Sequence, residues 1–232
     1  MTSFSTRLFA GAASLALGTA LIFGTSGVAA ETAVRAPAAI VSVPNSATSE
    51  TAVFAGGCFW GVQGVFQHVK GVKSAVSGFT GGIASTAHYE RVSDGDTGHA
   101  ESVRVTFDPR VVSYADLLRI YFSVITDPTM LNAQGPDRGT QYRTALFPTS
   151  PAQQKVATAY LAQLRKANLW NKPIVTRLER AQAFYPAENY HQDYLTLHPE
   201  SGYIRVNDAP KVAALKKIYP QYWRDKPVLV TG

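Results

Sequence analysis

The residue with the most distinctive chemical surroundings is Cys58, the only cysteine among 232 residues. It follows two glycines and precedes Phe59 and Trp60 in the segment "AVFAGGCFWGVQGVFQHV". A free cysteine is often a small core residue, and a lone cysteine cannot form a disulfide within its own chain. However, glycines allow tight turns and close approach by another molecule, and two adjacent aromatic rings offer an apolar wall to a small methyl-bearing group. These surroundings favour a reactive thiol over an inert one.

The residues around Cys58 predict a strand followed by a helix. The run "TAVFA" is short, apolar and rich in strand-forming residues. Beyond the glycines, apolar residues recur at helical spacing, at Val62, Val65, Phe66 and Val69. Cys58 therefore falls near a helix N-terminus, where free N–H groups and the helix dipole favour an anion, and we expect the pKa of its thiol to lie below about 8.5. Such a turn can also bind phosphate, but the lysine of the nucleotide-binding pattern is missing here.

Polar candidates for partners of the thiol lie further along the chain. The segment "HAESVRVTF" alternates apolar and polar residues, which predicts a half-buried strand with Glu101 near its start. A carboxyl group in a partly apolar pocket has a raised pKa and can hold a proton near neutral pH. The long connection "TDPTMLNAQGPDRGTQYRTALF" is dense in hydrogen-bonding side chains, and loops of such length are usually functional or disordered. Its large residues favour a functional loop.

A lone thiol is compatible with functions that involve no redox chemistry. Cys58 with His99 or His191 and a carboxylate has the composition of a cysteine hydrolase or acyltransferase site. We interpret both histidines as structural hydrogen-bonding residues instead. A non-catalytic exported binding module is a further hypothesis. One cysteine and five dispersed histidines do not match the spacing of metal ligands, so neither a metal site nor a bound cofactor is expected.

Several helices and strands must hold these residues in place. Ser113 and Asp116 form a capping-box pattern before the apolar run "LLRIYFSVI", and Ser150-Pro151 begins a long helix. We interpret "PIVTRLERA" as a strand and "PAENYHQDYL" as a helix, and Pro210 begins a last short helix. Strands and helices are interleaved without a dinucleotide-binding glycine pattern. The sequence therefore predicts one two-layer α+β domain.

The N-terminal part of the chain differs in composition from the rest. One positive charge, Arg7, precedes an apolar stretch that ends in small residues at Ala30, which predicts a cleaved secretory signal peptide. An uncleaved membrane anchor is the alternative. The next segment has two prolines, many small residues and no clear period, as is typical of a flexible linker. The predicted boundaries are residues 1–30 for the signal peptide, 31–50 for the linker, 51–225 for the main domain and 226–232 for a C-terminal tail.

Composition and charge exclude several classes of protein. The chain is 46% hydrophobic and 11% aromatic, which argues against disorder. The main domain is long enough for one sizeable core. The net charge is +6, or +5 without residues 1–30, whose one charged residue is Arg7. Because the basic residues are scattered rather than grouped, no nucleic-acid partner is expected.

The chain from about residue 51 to residue 200 resembles the A-type peptide-methionine sulfoxide reductases. Five segments carry the resemblance, in the order and at the spacing of that family: "GGCFWGVQ", "GFTGG", "YERVSDGDTGHAESVRVTFDP", "DPTMLNAQGPDRGTQYRTALF" and "FYPAENYHQDYL". The resemblance implies an α+β fold, a single two-layer sandwich with a mixed β-sheet flanked by helices. It also implies that residues 51–225 form a catalytic domain that reduces methionine S-sulfoxide, free or in proteins, through a cysteine sulfenic acid.

The same resemblance implies roles for individual residues. Cys58 corresponds to the nucleophile, Phe59 and Trp60 to the pocket for the S-methyl group, Glu101 to the acid that protonates the sulfoxide oxygen, Tyr89 and Tyr142 to hydrogen-bond donors to that oxygen, and Asp137 to a carboxylate beside Tyr142. Two places depart from the family pattern. Phe79 stands where a tyrosine is usual, so a hydroxyl function there is lost, and "STAH" precedes Tyr89 where Asn-Pro-Thr is frequent.

The cysteine count also bears on how the thiol is regenerated. Many members of the family have a further cysteine near the C-terminus, whereas none follows Tyr194 here, and Ser93 stands where some members have a second one. The resemblance therefore implies an external thiol reductant, a thioredoxin-like protein or dithiothreitol. Cleavage after Ala30 would place the protein outside the cytoplasm, in a periplasm, where cytosolic thiols are not directly available. We expect a monomer whose partner is a thioredoxin-like electron donor.

Overall fold

The computed structural model describes Met1, residues 33–44 and residues 46–230, and its centre is a six-stranded sheet. The strands are β1 (Glu50–Gly56), β2 (Val72–Thr80), β3 (Ala100–Phe107), β4 (Ala133–Gln134), β5 (Asp137–Arg138), β6 (Thr144–Phe147), β7 (Arg177–Leu178) and β8 (Phe184–Pro186). The main sheet has the order β7-β6-β1-β3-β2-β8, and β4 pairs with β5 separately. Neighbours in the main sheet are antiparallel except β6 and β7, which are parallel. The mixed sheet is therefore confirmed.

Helices and short helical turns connect these strands. The helices are α1 (Phe59–Gln67), α2 (Tyr89–Ser93), α3 (Tyr114–Ile120), α4 (Pro151–Ala167), α5 (Tyr194–Leu197) and α6 (Ala209–Ile218). The 3-10 turns are Ala84–Thr86, Thr140–Tyr142 and Asn189–His191, and the wider π-helical turns are Tyr121–Ile125 and Ile204–Asp208. The second π-helical turn leads directly into α6, and turns of this kind are frequent at functional sites.

Local sequence explains where two of the helices begin and end. The Ser113 hydroxyl accepts a hydrogen bond from the Asp116 N–H group, and the Asp116 carboxylate accepts one from the Ser113 N–H group, which is the predicted capping box of α3. Ser150 caps α4 with its hydroxyl, and Pro151 occupies the first turn. Asn168 ends α4 in the left-handed region, with a φ of 48°. The predictions of these helices are confirmed.

The strands of the sheet alternate between two differently covered faces. In β1, Ala52 and Phe54 point into the main core with the helices, whereas Val53 and Ala55 lie in a smaller cluster on the opposite face. Because the helical layer covers the first of these faces, the molecule is the two-layer α+β sandwich that the sequence predicts. β3 alternates in step with β1, and this register places Glu101 on the helical face.

Two segments differ from their predictions. In "PIVTRLERA" only the two residues of β7 form a strand, because only they pair with the neighbouring strand β6. In "PAENYHQDYL" a 3-10 turn and an irregular stretch precede the short helix α5. The helix is interrupted because the Gln192 side chain hydrogen-bonds to the N–H and carbonyl groups of Ser77 in β2, and because Asp193 has a φ of 58°. A residue in the left-handed region cannot continue a right-handed helix.

The start of the predicted linker lies against the domain. Ala36 is fully buried, and its N–H group donates to the Ser123 hydroxyl at 3.0 Å. The Tyr160 hydroxyl donates to the Pro37 carbonyl at 2.7 Å. The interpretation of residues 31–50 as a flexible linker therefore does not hold for this part, where a small side chain lets the extended backbone reach the core.

The two ends of the chain differ in how much of them is described. The predicted signal peptide, residues 1–30, lies outside the described residues apart from Met1. Within the described ranges, no helix is both long and apolar enough to span a bilayer. In the predicted tail, the Val230 N–H group donates to the Asp193 carboxylate at 3.0 Å. The described part of the tail is thus held against the segment before α5.

Candidate active site

Cys58 lies between β1 and α1, where the sequence predicts a turn. It is the N-cap residue of α1 and follows Gly57, whose φ of +88° lies in the region that favours glycine. A Cβ atom at Gly57 would lie 2.4 Å from the Cβ atom of Gln134, so the loop that carries β4 packs directly against this turn. Cys58 is 8% exposed. The turn therefore holds a thiol that is nearly enclosed but still reachable.

Cys58 lines a cavity of about 240 Å³. The lining residues are Cys58, Phe59, Trp60, Tyr89, Glu101, Asp137, Tyr142 and Tyr203. The cavity therefore brings together every residue for which the resemblance implies a role, from α1, α2, β3, β5 and the 3-10 turn before β6. Its volume suits a single side chain rather than a large cofactor.

Glu101 lies beside the first turn of α1. Its Oε2 atom accepts a hydrogen bond from the Phe59 N–H group at 3.0 Å, one of the groups that a helix N-terminus leaves free. Burial raises the pKa of the Glu101 carboxyl to about 8, against the opposing effect of the Phe59 bond. The charges of Asp137 and Asp208 raise it further. Glu101 is therefore protonated at neutral pH, as a general acid must be.

The prediction of a lowered pKa for the Cys58 thiol is wrong for the substrate-free protein. Burial raises this pKa well above its usual value, and the charges of Asp208, Glu101 and Asp137 act in the same direction. The backbone N–H group of Trp60 lowers it, as expected at a helix N-terminus, but is outweighed. Cys58 is therefore a thiol rather than a thiolate at neutral pH.

Two aromatic side chains of α1 form one wall of the cavity, and other rings hold them in place. Phe59 is buried, and its ring centroid lies 5.8 Å from that of Phe79. Trp60 stacks on Tyr194 with ring centroids 3.9 Å apart. The indole Nε1–H group of Trp60 donates to Nδ1 of His191 at 3.2 Å. An apolar group that enters the cavity therefore meets rings of fixed orientation.

Tyr89 and Tyr142 reach the cavity from two different turns. Tyr89 is the first residue of α2, and Tyr142 ends the 3-10 turn that follows Gly139. Burial raises the pKa of both phenols, and the charge of Glu101 adds to the effect. Both hydroxyl groups therefore remain protonated and can donate hydrogen bonds throughout the neutral range.

Asp137 contacts Tyr203, a cavity residue that sequence reasoning missed. The Tyr203 hydroxyl donates a hydrogen bond to the Asp137 carboxylate. Burial raises the pKa of Asp137, while this bond lowers it. Asp137 shares the cavity with Tyr142, as the resemblance implies, but it accepts its hydrogen bond from Tyr203. Tyr203 lies in "SGYIRVND", beyond the five family-like segments, where no periodic or turn pattern distinguishes it from other tyrosines.

Neither histidine considered for a hydrolase lies in the cavity. Nδ1 of His99 accepts from the Gly82 N–H group and Nε2 contacts the Ile83 carbonyl, while His191 accepts from Trp60. Both histidines therefore hydrogen-bond within the framework, as predicted. None of the described residues that line the cavity is a histidine, so a hydrolase would lack its general base. No group of three possible metal ligands occurs within the part of the chain that the structure describes.

Residues 50–223 match the family model of peptide methionine sulfoxide reductase. The chain belongs to the peptide methionine sulfoxide reductase family. Peptide methionine sulfoxide reductase MsrA 2 of Mesorhizobium japonicum is 60% identical over 182 residues, which cover 78% of this chain and 93% of that protein. The MsrA 2 protein of Synechocystis sp. is 49% identical over 75% of this chain and 80% of its own length.

Solved structures of methionine sulfoxide reductases share the fold. The reduced form of Mxr1 from Saccharomyces cerevisiae superposes with a TM-score of 0.61 at 32% identity, over 70% of this chain and 92% of that chain. Methionine sulfoxide reductase A of Corynebacterium diphtheriae gives a TM-score of 0.56 at 29% identity, over 76% of this chain and 91% of that chain. The fold and the family assignment therefore agree.

Membership of this family makes the chain an oxidoreductase that reduces methionine S-sulfoxide to methionine. It is a peptide-methionine (S)-S-oxide reductase, and its one cysteine fits the single-cysteine type. The hydrolase and the binding-module hypotheses are not favoured.

Proposed function

We propose that this reductase uses Cys58 as the nucleophile and Glu101 as the acid of the reaction. The observation that carries the proposal is the cavity that both residues line, in which burial raises the pKa of Glu101 to about 8. A sulfoxide sulfur is a poor electrophile until its oxygen is protonated or strongly hydrogen-bonded. Glu101 supplies that proton at neutral pH, while Tyr89 and Tyr142 donate hydrogen bonds as charge develops on the oxygen.

The proposed step transfers one oxygen atom from methionine sulfoxide to Cys58. Glu101 donates its proton to the sulfoxide oxygen as the Cys58 sulfur attacks the substrate sulfur, and the resulting carboxylate accepts the proton of the thiol. The attack joins the two sulfur atoms. The protonated oxygen then bonds to the Cys58 sulfur as its bond to the substrate sulfur and the new sulfur–sulfur bond both break, so that methionine leaves and Cys58 becomes a sulfenic acid. The substrate sulfur gains the two electrons that the cysteine sulfur loses.

The aromatic wall selects the group that enters the cavity. Phe59 and Trp60 contact the S-methyl group, and the small volume admits one methionine sulfoxide side chain, free or in a protein. Asp137, which accepts a hydrogen bond from Tyr203, holds the polar side of the pocket in place. The S epimer is preferred because only one configuration puts the methyl group on the wall and the oxygen beside Glu101.

An external thiol regenerates Cys58. The sequence offers no second cysteine to attack the sulfenic acid, so a donor thiol forms a mixed disulfide with Cys58 and releases water, and a second donor thiol frees the enzyme. A thioredoxin-like protein is the natural donor, with dithiothreitol as its laboratory substitute. The signal-peptide pattern that ends at Ala30 supports export to a periplasm and therefore an exported or membrane-linked donor.

A single turnover without reductant tests the proposal. The protein is reduced, freed of the added thiol reductant and mixed with one equivalent of a peptide that contains methionine S-sulfoxide. The amount of reduced peptide and the intact mass of the protein are then measured. We expect one reduced peptide per chain and one added oxygen atom on Cys58, captured by a sulfenic-acid reagent, with the R epimer as the control. Reduction of the peptide with an unmodified Cys58, or hydrolysis of an ester or amide without any reductant, would contradict the proposal.

A further inference from the structure

A buried carboxylate, Asp208, lies close to the site without taking part in the chemistry described so far. It is the last residue of the π-helical turn before α6, and it is 0% exposed. It is not one of the residues that line the cavity. It belongs to the segment "NDAPK", which lies outside the five family-like segments. Its position against α1 suggests what it does.

Gly61 gives the Asp208 carboxylate its close approach to α1. A Cβ atom at Gly61 would lie 2.1 Å from Oδ1 and 2.7 Å from Cγ of Asp208, so the carboxylate occupies the space of the missing side chain. Gly61 is the third residue of the helix that Cys58 caps. The N-terminal turn of a helix stabilises negative charge. A Cys58 thiolate would therefore share one helix end with a carboxylate that is already there.

Lys211 compensates the charge of Asp208 inside the protein. The Lys211 Nζ atom lies 3.6 Å from Oδ1 of Asp208, and both side chains are buried. A buried carboxylate is kept in its ionised form by such a partner, since an isolated charge would be too costly. Asp208 therefore brings a carboxylate that is paired with a lysine to the first turn of α1.

The other charged and titratable groups around Cys58 come from different elements. Glu101 faces it from β3 and is protonated at neutral pH, and Asp137 faces it from β5 with a hydrogen bond from Tyr203. The phenols that line the same cavity stay neutral, because burial raises their pKa values. Among the charges that raise the pKa of the Cys58 thiol, the charge of Asp208 has the largest effect.

We propose that Asp208, paired with Lys211, is a positioning residue that keeps Cys58 protonated until a sulfoxide is bound. Alkylating agents and peroxides react with thiolates, so the resting enzyme is protected from both. In the complex, the thiol proton leaves for Glu101 as the oxygen atom is transferred. The inference rests on Cys58 as the proposed nucleophile, but its test requires no sulfoxide.

The rate of Cys58 alkylation by iodoacetamide, measured against pH in the full chain, tests this inference. Asp208→Asn removes the charge at nearly constant shape, and we expect the midpoint of the profile to fall by about one to three pH units. The rate at neutral pH should rise about tenfold or more. The control is Asp225→Asn, which removes an exposed carboxylate and should leave the profile unchanged. An unchanged or raised midpoint in Asp208→Asn overturns the inference.

Two glycine variants give an independent test that keeps Asp208 in place, and they decide the question if Asp208→Asn does not fold. Gly61→Ala pushes the carboxylate away from α1 and should lower the midpoint. Gly64→Ala disturbs the same helix, since its Cβ atom would lie 2.7 Å from Cδ1 of Leu195. It displaces no charge and should therefore leave the midpoint unchanged. Equal shifts in both variants would overturn the inference. If the midpoints shift as expected while no sulfoxide is reduced, the proposed function fails and this inference stands.

Discussion

The Glu101 carboxyl group is subject to two opposing effects, burial and a hydrogen bond from the Phe59 N–H group. Burial prevails, because removing a carboxylate from water costs more than one N–H donor returns. The outcome is a pKa of about 8 and a proton that is present at neutral pH. The same residue therefore affects both the reaction and the stability of the fold, and each effect can be measured.

We expect Glu101→Gln to slow the oxygen-transfer step about 10²–10⁴-fold, because glutamine keeps the shape but has no transferable proton. In the wild type, the rate should be constant at pH values below about 8. It should fall as the pH rises through about 8, since Glu101 loses its proton there. Single-turnover rates on both sides of that pH measure this, with Cys58→Ser as the inactive control. Wild-type rates in Glu101→Gln, or a wild-type profile that rises through this range, would exclude Glu101 as the acid.

The same substitution should stabilise the fold as the pH rises. The folded pKa of Glu101 is about 8 against a usual value of 4.5, so the folded state holds a proton that the unfolded chain has lost, and stability falls with pH between these values. At neutral pH the cost is about 3 kcal/mol, and glutamine does not incur it. Urea unfolding of both proteins at about pH 5 and about pH 7 tests this. A difference in unfolding free energy that does not grow with pH would contradict it.

At the scale of the elements, the reaction depends on the turn that joins β1 to α1. Gly57 has a φ of +88° and lies against Gln134, so this residue fixes both the path of the chain and the contact with the β4 loop. The next residue is Cys58, whose position relative to the cavity follows from that path. Small changes in the turn therefore move the sulfur directly.

Gly57→Ala should destabilise the protein by about 1–3 kcal/mol and should lower the turnover number more than it raises KM. The physical reason is the backbone strain at positive φ, together with a Cβ atom 2.4 Å from that of Gln134. The matched control is Gly202→Ala, because no atom lies within 4 Å of a Cβ atom there. Thermal unfolding and steady-state kinetics with dithiothreitol measure both effects. Equal behaviour of the two variants would show that the turn tolerates a side chain.

The elements that could be predicted from the sequence are those whose signals are local. β1, α1, the capping box at Ser113 and the start of α4 all follow from neighbouring residues. β2, "VKSAVSGFT", was not predicted, because its apolar period is broken and its position depends on pairing with β3 and β8. The prediction of one helix in "PAENYHQDYL" is wrong because that segment also depends on distant contacts. The hydrogen bonds between Gln192 and Ser77 join residues 115 positions apart.

The site shows the same division. The resemblance of the five segments to the family names every residue that lines the cavity except Tyr203, which lies beyond those segments and is missed. The sequence also predicts the wrong direction for the shift in the pKa of the Cys58 thiol, which is raised rather than lowered. Reasoning from a helix N-terminus takes account of the Trp60 N–H group alone, whereas burial and Asp208 dominate, and tertiary structure determines both.

At the scale of the whole molecule, residues 33–44 pack against the domain, and Ala36 contributes to its core. Ala36 is buried with residues of the helical layer, and its N–H group is bonded to Ser123 in the π-helical turn. This segment lies outside the residues 50–223 that match the family model. The stability of this chain therefore depends in part on residues beyond the catalytic domain.

We expect Ala36→Asp to destabilise the protein by about 2–4 kcal/mol, because it places a larger, charged side chain at a fully buried position that holds only a methyl group. Ala38→Asp, two residues on and exposed, should stay within about 0.5 kcal/mol of the wild type. Urea unfolding compares the two variants, and the turnover number of the folded fraction should not change, since neither residue lines the cavity. Similar unfolding midpoints would show that the segment contributes nothing to stability.

The near-enclosure of Cys58 also limits which molecules can reach its sulfur. Because only 8% of Cys58 is exposed and it lines a cavity of about 240 Å³, we expect a flat protein surface to be stopped before it reaches the sulfur. A macromolecular electron donor must carry its own cysteine on a convex, protruding loop that fits the opening, or else the rim must yield. Two donors of equal reduction potential will then differ in rate according to the shape of that loop. Access to the sulfur is therefore one of the conditions that a donor thiol must meet to complete the cycle.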